Sequence, residues 1–278
     1  MLALTRQNLL PLIRAALRED AAWRDLTSRA VIPTATRIRA RVVAKSPGVL
    51  AGAQVAAWTF QALDPSVRCA ITRREGAALT PGRTILTVEG RARSIFAAER
   101  TALNLLGHLS GIATMTRAFA RYARGTPVFD TRKTLPGLRA VEKHAVRVGG
   151  GRNHRVDLQD AILIKTNHLR ASHTSIPQLI RHAKAARPKR SVEIEVATLS
   201  EFRAALAANP DAILLDNWRL ADIPKAVALR PGSHPILEAS GGVTIGNVGA
   251  IARTGVDRIS IGRLTHSAPS LDVSLEVI

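Results

Sequence analysis

From about residue 128 onward, short apolar runs alternate with amphipathic stretches, the pattern of repeated βα units that build a parallel sheet. Six runs have strand character, at 128–131, 161–165, 192–197, 212–216, 236–240 and 258–262. Helix-like stretches fall between or after them at 137–148, 175–187, 199–208, 220–229 and 245–254, which together make a barrel-like layout. The first hundred residues read differently. Apolar positions at helical spacing over 1–20 predict a leading helix, and strand-like runs follow at 38–44, 49–51, 70–73 and 85–88, with Pro47-Gly48 and Pro81-Gly82 as turns. This predicts a separate domain over 1–110. A long helical region, 95–124, leads toward a barrel domain at 111–265, with Gly107 and Gly111 as breaks near its middle.

Polar residues recur at the ends of the strand-like runs, where a parallel βα barrel gathers its active site. The first run ends in Asp130-Thr131-Arg132-Lys133 and the second in Lys165. The third carries Glu193 and Glu195, the fourth ends in Asp216-Asn217, and the fifth in Glu238-Ala239-Ser240-Gly241-Gly242. An unpaired polar group costs several kcal/mol to bury, so repetition on five strands points to a site, the competing reading being a structural ion-pair network at the barrel mouth. Arg132, Lys133, Arg155 and Lys165 supply permanent cations and His154 a further donor, whereas Glu195 and Asp216 supply two carboxylates. Cations in excess imply a polyanion. The two acids fit either sugar hydroxyls or a hydrated magnesium ion carried in by phosphates. Ser240-Gly241-Gly242 before a helix near Ile245 offers backbone N–H groups to a phosphate, with Gly262-Arg263 as a second wall. Gly149-Gly150-Gly151 followed by Arg152-Asn153-His154-Arg155 reads as a flexible, cationic lead into the second strand. His144, His154 and His168 lack the spacing of a zinc cage.

Composition narrows the class. The 278 residues are 46% hydrophobic with no long low-complexity tract, so the chain is a folded, enzyme-sized protein of one large or two smaller domains. A formal charge of +19 suggests an anionic partner: nucleic acid, a membrane surface or a phosphorylated metabolite. Only seven of the forty basic residues are lysine, so most arginines read as a compositional bias rather than a binding surface. Aromatics at 3%, cations spread along the whole chain and no nucleic-acid motif argue against RNA or DNA. No segment reaches the ~20 apolar residues of a membrane span. Arg6 and Arg14 interrupt any signal-peptide core, and the lone Cys69 suits a reducing cytoplasm.

The blocks at 130–139, 142–146 and 149–155 closely resemble the quinolinate phosphoribosyltransferase family, above all in Asp130-Thr131-Arg132-Lys133-Thr134 with Asn153-His154-Arg155. The resemblance extends through Glu99-Arg100-Thr101, Ile164-Lys165-Thr166-Asn167-His168, Glu193-Ile194-Glu195-Val196, Leu215-Asp216-Asn217, Glu238-Ala239-Ser240-Gly241-Gly242 and Thr265-His266-Ser267-Ala268. It implies an α/β protein: an N-terminal α/β sandwich domain, to which 266–278 returns, and an open TIM-like (βα) barrel of about six parallel strands. It also implies a cytoplasmic homodimer that makes nicotinate mononucleotide, pyrophosphate and carbon dioxide from quinolinate and phosphoribosyl pyrophosphate in NAD biosynthesis. Carried onto matching positions, Arg132, His154, Arg155 and Lys165 hold the quinolinate carboxylates, Arg100 arrives from the neighbouring subunit, and Thr131 lies beside them. Lys133, Glu195 and Asp216 engage phosphoribosyl pyrophosphate and its Mg2+, with Lys133, Lys165, Glu195 and Asp216 as the catalytic set. Ser240, Gly241 and Gly242 with Ile261, Gly262 and Arg263 take the 5′-phosphate. Three positions depart from the family pattern: Thr166 stands where an acid is usual, Arg263 replaces a small residue, and Trp23-Arg24-Asp25 replaces a Gly-Asp pair. The nearest rivals are the related barrel proteins of molybdenum-uptake gene clusters and, from another class, a basic nucleic-acid-binding protein.

Overall fold

The computed structural model describes residues 4–278. In chain order, the first stretch holds helix α1 (Arg6–Glu19), α2 (Leu26–Val31), strand β1 (Arg37–Ala44), β2 (Gly48–Val49), α3 (Ala53–Leu63), β3 (Arg68–Ile71), β4 (Ala78–Leu79), β5 (Thr84–Arg91) and α4 (Ala92–Tyr122). There follow β6 (Val128–Phe129), α5 (Arg139–Gly149), β7 (Ile162–Ile164), α6 (Thr166–Ser172), α7 (Ile176–Ala186), β8 (Val192–Val196) and α8 (Leu199–Ala207). The last are β9 (Ala212–Asp216), α9 (Ile223–Leu229), β10 (Ile236–Ser240), α10 (Ile245–Ala252), β11 (Arg258–Ser260), α11 (Arg263–His266) and β12 (Val273–Val277).

The chain forms two compact units, one of residues up to Arg117 with 134–150 and 264–278, the other of 118–133 with 151–263. In the first, Thr5 caps α1 by accepting the Asn8 N–H at 3.3 Å, and Leu9, Ile13 and Leu17 bury one stripe of the helix. Residues 1–3 of the expected leading helix lie outside the described residues. The antiparallel sheet runs β12-β1-β5-β3, with Ala40 opposite Val277 and Arg37 opposite Arg91. The strand expected at 49–51 stops after Val49 because Gly52, at φ 90°, turns the chain into α3. The Glu75 carboxylate accepts the Gly52 and Ala53 N–H groups there. Helix α3 escapes the apolar periodicity because it is buried on most sides, through Ala53, Val55, Ala56, Ala57, Thr59 and Phe60. At the departure from the Gly-Asp pattern, Asp25 caps α2 by accepting the Ser28 N–H.

Two expectations are corrected in this region. Helix α4 runs unbroken for 31 residues through Gly107 and Gly111. These glycines instead admit another segment of backbone: a Cβ on Gly107 would stand 2.7 Å from the Leu271 carbonyl oxygen, and one on Gly111 2.0 Å from that of Pro269. The triple glycine is not a mobile loop. Gly149 ends α5 against α4, where a Cβ would meet the Ala113 carbonyl oxygen at 2.6 Å, and Gly150 closes the helix at φ 96°. By packing, α5 groups with the first unit: His108 Nε2 lies 2.8 Å from the fully buried Glu142, whose other oxygen accepts the Leu135 N–H.

The second unit is built on a six-stranded parallel sheet in the order β6-β11-β10-β9-β8-β7. The first strand pairs with the last, and no ladder joins β6 to β7, so the barrel is open at that seam. Capping boxes at Ser175/Gln178 and Thr244/Asn247 and the Thr198 cap start α7, α10 and α8. Along the strands, Val192, Ile194, Val196, Ile213, Leu215, Leu237, Ala239 and Ile259 form the buried apolar alternation. Most intervening positions are polar, Glu193, Glu195, Asp216, Glu238, Ser240, Arg258 and Ser260, with Leu163 and Leu214 among them, so this barrel's other face is mainly polar. No helix among the described residues is long and apolar enough to cross a membrane.

Candidate active site

The polar face opens into a cavity of about 270 Å³ in the second unit, lined by Thr131, Arg132, Lys133, His154, Arg155, Leu163, Lys165, Glu195, Leu214, Asp216, Glu238, Ser240 and Ser260. Strand register assembles it. Ser240 stands opposite both Asp216 and Ser260, and Glu238 opposite Arg258. Asp130, fully buried just behind Thr131, is a tether. It accepts Asn153 Nδ2 at 2.6 Å and the His154 N–H at 2.9 Å, which fixes the 153–155 segment beside β6.

At the mouth, Arg132 and Arg155 crowd each other. Burial and then the Arg132 charge pull the Arg155 guanidinium below its ordinary value, although Arg155 still donates to the Ala161 carbonyl at 3.2 Å. Arg132 Nε is buried with no hydrogen-bond partner among the described residues. Two guanidiniums held together with a donor unspent describe a receptor for an anion. Lys165 is set by its own backbone, whose N–H donates to His168 Nδ1 at 2.8 Å, so the histidine of the Lys-Thr-Asn-His block is a local brace. Across from the cations, burial and the neighbouring Glu195 charge raise the proton affinity of Asp216, against a hydrogen bond from Asn217 and the charges of Lys133 and Lys165. Thr166 donates its hydroxyl to Glu195 Oε1 at 2.8 Å.

Beneath lies a second set of charges. Arg258 bridges Glu238 and Glu193, the latter at 3.0 Å, and packs its guanidinium 5.3 Å from the Phe129 ring centre. His154 Nε2 sits 3.0 Å from Glu193 and 3.4 Å from Glu238. Burial alone would push the His154 ring down, but the two carboxylates against Nε2 prevail and hold it at about 9. Burial likewise opposes ionisation of Glu238, yet His154 and Arg258 keep this carboxyl below its usual range. His154, Glu193 and Glu238 are near enough together to ligate a metal ion. Arg258 already sits on both carboxylates, so the cluster is an ion-pair floor rather than a metal cage.

Of the residues expected from the sequence, Thr131, Arg132, Lys133, His154, Arg155, Lys165, Glu195, Asp216 and Ser240 line this one cavity. Both ring nitrogens of His154 face protein groups, Nε2 the acids and Nδ1 the Arg155 N–H at 2.8 Å, so the ring is not a free donor to a ligand. Gly241, Gly242, Ile261, Gly262 and Arg263 are not part of the lining. Ile261 is buried, and Arg263 is exposed at the start of α11. Gly241 leaves room for Asn217, whose Oδ1 would lie 2.2 Å from a Cβ there, and both Gly241 and Gly242 have positive φ. Arg100 is exposed on α4 in the first unit. Sequence reasoning missed Arg258 and Ser260; the signal was their two-residue alternation with buried Ile259, in step with Glu238 and Ser240.

Protein-family models match both halves of the chain: the quinolinate phosphoribosyl transferase N-terminal domain over residues 25–110 and the C-terminal domain over 112–276. The nicotinate-nucleotide pyrophosphorylase [carboxylating] of Mycobacterium leprae is 43% identical over 272 residues, covering 95% of each chain. Quinolinate phosphoribosyltransferase [decarboxylating] 1 of Nicotiana glauca is 37% identical, covering 95% of this chain and 81% of its own. Among solved structures, NadC from Streptococcus pyogenes superposes with a TM-score of 0.93 at 39% identity, covering all of both chains.

Proposed function

The chain belongs to the quinolinate phosphoribosyltransferase family, and on that basis we propose how its pocket performs the reaction. Its activity is that of a decarboxylating quinolinate phosphoribosyltransferase, a pentosyltransferase of NAD biosynthesis that turns quinolinate and phosphoribosyl pyrophosphate into nicotinate mononucleotide, pyrophosphate and carbon dioxide. What supports the assignment of roles is a single cavity edged by Arg132, Arg155, Lys133 and Lys165 on one side and Glu195 and Asp216 on the other.

Arg132, Arg155 and Lys165 hold the two quinolinate carboxylates, with Thr131 alongside, and His154 forms the floor under them. Lys133, Glu195 and Asp216 face the activated sugar, and Ser240, the one expected phosphate-loop residue that lines the cavity, is placed toward its 5′-phosphate, with the backbone of Gly241, Gly242 and 261–263 outside the lining. The pyridine nitrogen lone pair forms the bond to the anomeric carbon while the bond to pyrophosphate breaks and its oxygen keeps the electron pair. Glu195 and Asp216 stabilise the positive charge that builds on the sugar. The ring nitrogen is then cationic, so when the bond from ring carbon 2 to its carboxylate breaks, carbon dioxide leaves and the electron pair stays beside a positive charge until a proton replaces it. Much of the catalysis is therefore positioning.

Glu195 and Asp216 also suit a magnesium ion delivered by phosphoribosyl pyrophosphate: both are hard oxygen donors, and a shared cation relieves the Glu195 repulsion that adds to burial in raising Asp216. Such an ion, when bound, neutralises charge on the departing pyrophosphate. We assign Arg100 to the pocket of a neighbouring copy in a homodimer. The enzyme's place is the cytoplasm, which fits a half-buried Cys69 whose thiol burial pushes up to about 11; cell fractionation checks it.

The direct test is to incubate purified protein with quinolinate, phosphoribosyl pyrophosphate and magnesium. Nicotinate mononucleotide and carbon dioxide should appear together, and absence of both overturns the assignment. In the same assay, Arg100→Ala mixed with Lys165→Ala should recover activity that neither has alone; no recovery removes Arg100 from a shared site.

A further inference from the structure

We propose that Thr166 is a positioning residue that fixes the Glu195 carboxylate at the pocket wall, a role that rests on Glu195 facing the activated sugar. Strand β7 ends at Ile164 and α6 begins at Thr166, so the first N–H of the helix has no acceptor within it. That N–H points at Glu195 Oε1 at 3.3 Å, and the Thr166 hydroxyl donates to the same oxygen at 2.8 Å. The contact joins residues 29 apart in sequence, brought together because Ile164 and Ile194 are paired across β7 and β8.

Among the described residues no other group hydrogen-bonds the Glu195 carboxylate. Both donors fall on Oε1, so Oε2 keeps its lone pairs for whatever occupies the cavity. Left to itself, a glutamate beside Asp216 would turn away from the like charge, since its side chain has rotamers to spare. The threonine prevents this in two ways: it removes torsional freedom, and it feeds two hydrogen-bond donors to one carboxylate oxygen. An acid at position 166 would set a third carboxylate against the same oxygen. Threonine reverses that contact from repulsion to donation, and leaves a site of two acids with one of them clamped.

The effect should fall on the sugar substrate and not on quinolinate, because Thr166 acts through Glu195. Thr166→Val keeps the shape and the backbone N–H but deletes the hydroxyl. One hydrogen bond to a charged acceptor corresponds to about tenfold, so kcat/KM for phosphoribosyl pyrophosphate should drop by about that factor in Thr166→Val. KM for quinolinate and Tm should hold, and Thr166→Ser should restore the wild-type value. Calorimetric binding of phosphoribosyl pyrophosphate supplies the second readout: in a Glu195→Gln background, adding Thr166→Val should weaken binding no further. The proposal is overturned if Thr166→Val equals wild type, if serine is as poor as valine, if both substrates and Tm suffer alike, or if valine weakens binding equally with and without Glu195. A wild-type protein that turns over normally alongside an unaltered Thr166→Val sinks only the positioning role. A wild-type protein that neither binds nor reacts sinks the functional reading, and the role of Thr166 with it.

Discussion

The mouth and the floor of the same barrel are made from the same residue types and solve opposite problems. At the floor, Arg258 and His154 meet Glu193 and Glu238, and each carboxylate is shared by the two positive partners. At the mouth, none of Arg132, Arg155 and Lys165 forms a salt bridge among the described residues, and burial and then the Arg132 charge hold the Arg155 guanidinium below its ordinary value. Charges that cancel inside the protein are structure. Charges held apart from their opposites, with a donor such as Arg132 Nε left over, store an unmet interaction that a ligand completes. The distinction lies in pairing and not in residue type, which is why counting arginines across the chain says so little about function.

Breaking the floor should give the largest effect. Arg258→Met leaves two buried acids with His154 as their one remaining cation, and breaking such a buried pair should lower stability by roughly 3–5 kcal/mol, read by urea unfolding. Adding Glu238→Gln, which removes one of the orphaned charges, should return part of the loss. An Arg258→Met protein that unfolds at the wild-type urea concentration would make the floor dispensable and erase the contrast. The mouth should behave the other way. Arg132→Ala or Lys165→Ala should reduce kcat/KM by an amount equivalent to roughly 2–5 kcal/mol, nearly abolishing turnover, while leaving urea stability intact or slightly raised. Near-normal turnover in either variant would take that residue out of the site.

The contrast also explains what could be read in advance. Strand ends such as 130–133 and 216–217 were legible because a parallel barrel exposes them on one side, and a row of polar residues there stands out against apolar runs. The pairing that separates floor from mouth was not legible. Glu193 and Glu195 are two residues apart on one strand and look equivalent, yet Glu193 faces Arg258 and Glu195 faces Thr166, partners 65 and 29 residues away. Helix α3 was invisible for a related reason: a helix buried on nearly all sides has no polar face to give it a period. Gly107 and Gly111 misled because a helix-breaking tendency worth about 1 kcal/mol gives way to close backbone packing against 269–271, which only the folded chain reveals.

The smallest and finest discrimination is by pH, because the floor itself holds groups linked to protons with opposite signs, His154 raised and Glu238 lowered. His154 is held at about 9 in the fold and returns to about 6.5 when unfolded. Its raised value means that its contribution is complete below about 6.5 and is lost as pH climbs through about 9. Glu238 is lowered, so its contribution is present above the ordinary carboxylate value and fades on acidification. Asp216 at the mouth is raised by burial and by Glu195, so acid relieves it instead of harming it. One contact competes with this account. The Arg155 N–H points at His154 Nδ1 from 2.8 Å and rewards a bare nitrogen, whereas the two carboxylates at Nε2 reward the imidazolium. Charge-assisted bonds are roughly twice as strong as neutral ones, so the carboxylates should prevail. Nuclear magnetic resonance should then show the His154 ring still protonated at about pH 8, Tm should decline from neutrality toward about pH 9, and Glu193→Gln should bring the titration down. A ring that titrates near its unfolded value, with Tm flat across that window, means the backbone N–H has won. His154 would then be a neutral ring donating from Nε2, and the floor would carry one uncompensated negative charge beneath the anion site.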